Sequence, residues 1–176
     1  MAVAPELKGQ QLTLRPFASQ YLTDAYVGWL QDPQVTRYSE QRHRTHSLSS
    51  CEAYVASFKN SPNMLWAIWD TQRDCHIGNI SVTMDPTNQI ADISILIGDR
   101  STRRRGFGKQ AWGLVLDYLL QTLSLRKVTG GCMAANTAMV RLMEATGMQP
   151  DGRRANHYLL DGEPVDIVYY ARFGAS

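Results

Sequence analysis

Ile93-Ser-Ile-Leu-Ile-Gly-Asp-Arg-Ser-Thr-Arg-Arg-Arg-Gly-Phe-Gly-Lys109 carries the chain from an apolar strand, through a cationic glycine loop, into a helix. Ile90 to Ile97 is apolar and β-branched enough for a strand buried on both faces, and Gly98-Asp-Arg-Ser is turn chemistry that ends it. From Gly106 the period changes, because Phe107, Ala111, Leu114, Val115 and Tyr118 share one helical face.

A helix start leaves amide N–H groups without partners and binds anions, and glycines let phosphate oxygens approach the backbone. Arg103, Arg104, Arg105 and Lys109 add cationic charge. Three adjacent arginines alone read equally well as a solvated basic turn, but a strand before and an amphipathic helix after favour a phosphate site. A Walker A loop is absent. Gly106-x-Gly108-x-x-Ala111 meets a dinucleotide fingerprint, yet no acid closes the next strand, Arg126 to Met133, as that fold requires.

The third pattern, Arg103-x-x-Gly106-x-Gly108, resembles the coenzyme A loop of the GNAT superfamily of acyl-CoA N-acyltransferases. Other segments resemble the same family in the same order. Leu12-Thr-Leu-Arg15-Pro is similar to the opening strand of the subgroup containing ribosomal-protein N-terminal and amino-sugar acetyltransferases. Tyr26 to Tyr38 resembles its first helix and following turn, His76-Ile-Gly78-Asn79-Ile its third strand, and Asn136 to Met148 its last helix.

Length and composition narrow the classes. A chain of 176 residues is one domain by size and can bury about 70% of its unfolded surface, so a single domain over 1–176 is expected. A net charge of +2 with 19% charged residues is too balanced for a general nucleic-acid binder. Cys51, Cys75 and Cys132 are widely spaced without a Cys-x-x-Cys pair, which argues against disulfides and zinc and for a reducing cytoplasm. Met1 to Gln10 lacks a leader pattern and no long apolar run occurs, which argues against secretion and membrane spanning.

Along the chain, Gln11 to Phe17 alternates as a strand, and Leu22 to Leu30 reads as an amphipathic helix stopped by Asp32-Pro33. Thr36 to His46 reads as a polar, basic loop. Ser49-x-x-Glu52 has the spacing of a capping box for a second helix. Met64 to Trp69, His76 to Met84 and Ile90 to Ile97 read as an antiparallel meander, Arg126 to Met133 as a parallel neighbour, and Gly152 to Phe173 as a closing hairpin over Asp161-Gly162. The expected fold is therefore α/β (α+β): a mixed, mostly antiparallel sheet of about seven strands with a central parallel pair and about four helices. In the resembling family that pair splays.

The resemblance implies acetyl-CoA as acyl donor, no metal, and direct transfer to a primary amine in a ternary complex. It implies cofactor contacts from Ile95, Leu96, Ile97, Arg103, Arg104, Arg105, Gly106, Phe107, Gly108, Lys109, Asn136 and Met143. Asp92 aligns with the family's usual catalytic Glu, one methylene shorter, with Glu40, His43 and His46 as competing bases. Met143 stands where the family often has a thiolate-protonating Tyr, leaving Tyr158, a water, or no dedicated acid. Asn136 reads as a plain helix N-cap, and by resemblance also contacts the thioester end. Cys132 reads as a core thiol, and His43-x-x-His46 as solvated loop.

For the acceptor, the resemblance points to Trp29, Arg37, Tyr38, Glu40, Arg42 and His43, facing the hairpin at Arg153 to Tyr158. A cluster that basic suits an anionic acceptor, with a nucleotide-linked amino sugar slightly preferred over a protein N-terminus. A polyamine fits less well. The expected partners are therefore a small-molecule or peptide amine, with neither nucleic acid nor membrane, and a homodimer left open. Two non-transferase readings stay open: a dinucleotide oxidoreductase and a silent acyl-CoA sensor.

Overall fold

The computed structural model describes residues 4–175; residues 1–3 and 176, which the leader-free and single-domain expectations include, lie outside the described residues. Eight strands form one sheet in the order β1-β2-β3-β4-β5-β6-β8-β7. They are β1 (Leu7–Lys8), β2 (Leu12–Pro16), β3 (Met64–Asp70), β4 (Cys75–Asp85), β5 (Ile90–Ile97), β6 (Lys127–Met133), β7 (Gln149–Leu160) and β8 (Glu163–Phe173). The strand beyond the expected seven is the two-residue β1, too short to show periodicity in sequence.

Every neighbouring pair is antiparallel except β5 and β6. That pair runs parallel because a helix connects its members. Five α-helices accompany the sheet: α1 (Asp24–Gln31), α2 (Pro33–Thr36), α3 (Leu48–Ala56), α4 (Phe107–Asp117) and α5 (Thr137–Ala145). Asp32 both ends α1 and caps α2, accepting from Gln34 N, while Pro33 takes the first helical position, where its missing N–H costs nothing. The loop expected over Thr36 to His46 contains a 3₁₀ turn at Glu40–His43.

The capping box of α3 is Ser47 with Ser50, which corrects the Ser49-x-x-Glu52 assignment. Serine at the third helical position returns the bond to the cap backbone as the expected Glu would have. Asn136 caps α5 through its side chain, and Gly147 takes φ +79° after its end.

The core lies between the sheet and α4 with α5. Leu12, Leu14, Trp66, Ile68, Ile80, Val82, Ala91 and Ile93 meet Phe107, Ala111, Trp112, Val115, Leu116, Leu119 and Met143 there. Because strand side chains alternate, Asn79, Ser81 and Thr83 project to the opposite face, under α1 and α3. No helix among the described residues is long and apolar enough to cross a membrane.

Candidate active site

Strands β5 and β6 pair only from Ile90 to Asp92 and from Lys127 to Thr129. Beyond that point β6 continues alongside β8 to Met133, and β5 continues alongside β4 to Ile97. The two strands therefore part, and the edge of β5 from Ile93 to Ile97 is left without a partner on the β6 side. Unpaired strand N–H and C=O groups are available to an extended ligand. Asp92 sits at the point of divergence, where the Thr129 hydroxyl donates to its carboxylate at 2.7 Å. Burial raises the pKa of Asp92, with the Thr129 hydroxyl acting against it.

The cationic loop meets this edge. Gly106 caps α4 at φ +82° with open space where a side chain would be. A Cβ on Gly108 would sit 3.2 Å from Leu142 Cδ1 and 3.9 Å from Ile97 Cγ1, so glycine there lets α4 approach α5 and β5. Arg103 donates to the Gln34 carbonyl and Arg105 lies 3.8 Å from Asp70, while Arg104 and Lys109 form no ion pair among the described residues. A left-handed glycine, free helix-start amides and unpaired cations are what a pyrophosphate requires. An open groove of about 1110 Å³ continues from Arg105, Gly106 and Lys109 along the outer face of α4 to Arg172.

A second cavity, about 680 Å³, lies between the polar face of the sheet and the α1–α3 layer. Ile95, Leu96 and Asn136 line it, so it reaches the unpaired edge of β5. Its floor carries Asn63, Asn79, Ser81, Thr83 and Ser94, and its opposite wall carries Tyr26, Cys51 and Tyr54 from α1 and α3 and Tyr38, Arg44 and His46 from the segment before α3. Arg44 is the sole formal charge in this lining, which contains no carboxylate. Cys132 also lines it, and burial pushes its thiol up to about 11, which leaves it a poor nucleophile.

The expected acceptor residues separate. Tyr38 lines the cavity. Arg37 pairs with Asp161 in the β7–β8 turn at 2.6 Å, and Arg42 binds Glu40 at 2.9 Å and the Leu159 carbonyl at 2.9 Å. These bonds clasp the loop after α2 to the hairpin and take up its arginines. Trp29 packs where a Cβ on Gly98 would be and lies 5.0 Å from the His76 ring, away from the cavity lining. His43 is likewise outside the lining.

Other expected site residues lie elsewhere. Tyr158 lies beside His157, with tilted rings 4.7 Å apart, on the edge strand β7 and outside the lining. Arg153 pairs with Asp166 on the adjacent strand. Met143 and Phe107 are fully packed in the core. Sequence reasoning missed the row Asn79, Ser81, Thr83, whose signal was polar residues alternating with Ile80 and Val82. Among the described residues no three His, Cys, Asp or Glu side chains are placed to share a metal.

A splayed parallel pair, a glycine cradle at a helix start and a cavity joining them define a thioester-dependent acyltransferase. The chain belongs to the GNAT acetyltransferase family, whose acetyltransferase (GNAT) domain matches residues 11–149. It is an acetyl-CoA-dependent transferase acting on an amine. The human alpha/beta-tubulin-N-acetyltransferase 9 is 21% identical over 149 residues, 78% of this chain and 72% of that protein. The ribosomal-protein-S5-alanine acetyltransferase of Vibrio fischeri superposes with TM-score 0.83 at 12% identity, over 98% of both chains. The spermidine N-acetyltransferase of Vibrio cholerae, solved with CoA and spermine, gives TM-score 0.82 at 20% identity, over 94% of this chain and 96% of that one.

Proposed function

We propose that the acceptor is the α-amino group at a protein N-terminus, acetylated directly from acetyl-CoA. The observation that carries this reading is the charge of the acceptor cavity: one arginine, no carboxylate, and a floor of hydroxyl and amide groups. A nucleotide-linked sugar brings two phosphates, and two arginines expected to meet them, Arg37 and Arg42, are engaged within the protein. A polyamine brings several ammonium groups and would call for acids. A peptide end brings one amine and a run of neutral N–H and C=O groups, which Asn63, Asn79, Ser81 and Thr83 can satisfy.

Two of the three relatives described above carry a protein acceptor in their names, tubulin and ribosomal protein S5, which supports this reading. The donor is assigned to Ile95, Leu96 and Ile97 along the strand edge, Arg103 to Lys109 around the pyrophosphate, and Asn136 at the thioester end. Residues 1–176 then act as one acetyltransferase domain. Free thiol released from acetyl-CoA is measured against N-terminal peptides, nucleotide amino sugars and polyamines. Turnover with peptides alone is expected; turnover with amino sugars alone would restore the anionic acceptor.

A further inference from the structure

The amine arrives as an ammonium and must lose a proton before it attacks. The acceptor cavity holds no carboxylate, and Asp92 lies outside its lining, held by Thr129. We infer that His46 is the base that takes this proton. His46 lines the cavity, and the residue is 8% exposed. Gln31 Nε2 donates to the His46 carbonyl at 2.7 Å and fixes its backbone. The ring Nε2 lies 3.2 Å from the Gln41 carbonyl oxygen. A carbonyl only accepts, so the ring hydrogen sits on Nε2 and Nδ1 carries the bare lone pair. No hydrogen bond reaches Nδ1 among the described residues, and it is not sealed from solvent as His76 Nδ1 is.

The surrounding groups leave this role to the imidazole. Tyr26 and Cys51, from α1 and α3, and Tyr54 from α3 are held protonated by burial. Arg44 carries a guanidinium, which donates and has no lone pair to offer. Tyr38 lines the same wall, while Glu40 and Arg42 pair with each other and His43 is outside the lining. His46 is thus the lining group with an unshared nitrogen pair and an orienting bond on its opposite side, the arrangement that general bases use.

The step balances without a further reagent. His46 Nδ1 accepts one ammonium proton, and the amine nitrogen bonds to the thioester carbonyl carbon. The C–S bond breaks, and the second nitrogen proton passes to the departing thiolate, directly or through a water that gives up one proton as it takes the other. His46 returns its proton to solvent. The inference rests on the acceptor entering this cavity, but not on the acceptor being a peptide.

The test compares His46→Gln, with His46→Asn as a second variant, against Asp92→Asn, each first shown to keep the acetyl-CoA-induced rise in Tm. The acceptors are a peptide with an ordinary α-amine and one ending in an aminooxy group, neutral at the assay pH. Loss of the His46 imidazole should lower kcat/KM for the amine by on the order of a hundredfold, shift the acid limb of its pH profile, and leave the aminooxy peptide nearly unaffected. Equal loss on both acceptors would mean a structural role and overturn the inference. So would an acid limb that follows Asp92→Asn instead. Should the wild type reject peptides but accept another amine, the peptide reading falls and the same variants decide His46 on that amine. If no amine releases thiol, both fall.

Discussion

Arg37 Nη2 lies 2.6 Å from Asp161 Oδ2, joining the turn after α2 to the turn of the β7–β8 hairpin across 124 residues of chain. Arg42 adds a second tie 2.9 Å from the Leu159 carbonyl. Two segments remote in sequence are held together beside the cavity proposed for the acceptor.

Because the Arg37–Asp161 pair is exposed, it positions more than it stabilises. Asp161→Asn is expected to leave Tm and kcat near wild type and to raise the acceptor KM several-fold, with the difference shrinking as salt is added. Steady-state kinetics at two ionic strengths checks this.

The glycine loop yields a binding prediction. Gly106→Asp puts a carboxylate where the pyrophosphate is assigned, at a left-handed backbone position that costs a side chain about 1–2 kcal/mol. Acetyl-CoA should no longer raise Tm. An unchanged affinity by calorimetry would mean that the cofactor lies elsewhere.

Gly78 is a packing requirement. A Cβ there would lie 2.2 Å from the Leu96 carbonyl oxygen, a backbone atom that cannot turn aside. Gly78→Ala must force β4 from β5 next to the strand edge assigned to the cofactor. Loss of soluble protein, or a large fall in Tm with loss of acetyl-CoA binding, is expected.

Asp92 makes stability depend on pH. Burial raises its folded pKa above the ordinary value of 3.8. The folded state then keeps this proton to higher pH than the unfolded chain does. Its stabilising contribution is present below 3.8 and lost as pH rises through the folded value. Asp92→Asn, which can still accept from Thr129, should raise Tm at neutral pH, and the gain should vanish under acidic conditions. Melting curves of both proteins across that range test the sign.

Much of the fold was legible because its signals are local. The strand from Ile90, the period change at Gly106, the cap at Asn136 and the hairpin over Asp161-Gly162 each depend on a few adjacent residues, and each lies where expected. The α3 cap moved two residues because serines at 47, 49 and 50 offer the same hydroxyl, and only backbone geometry chooses among them.

The candidate acceptor site was less legible because charge in sequence does not reveal pairing in space. Arg37 and Arg42 looked free until Asp161 and Glu40 met them. His46 had the appearance of a solvated loop residue, yet Gln31 and Gln41 hold it inside the cavity wall. The polar row from Asn79 to Thr83 was readable by alternation, but its importance appears only once α1 and α3 roof it over.

The most direct test of acceptor chemistry is to locate the transferred acetyl group. A peptide with a free α-amine and an internal lysine is incubated with enzyme and acetyl-CoA, and fragmentation mass spectrometry assigns the modified nitrogen. Acetyl on the α-nitrogen alone is predicted. Acetyl on the lysine side chain, with the α-amine untouched, would contradict the account.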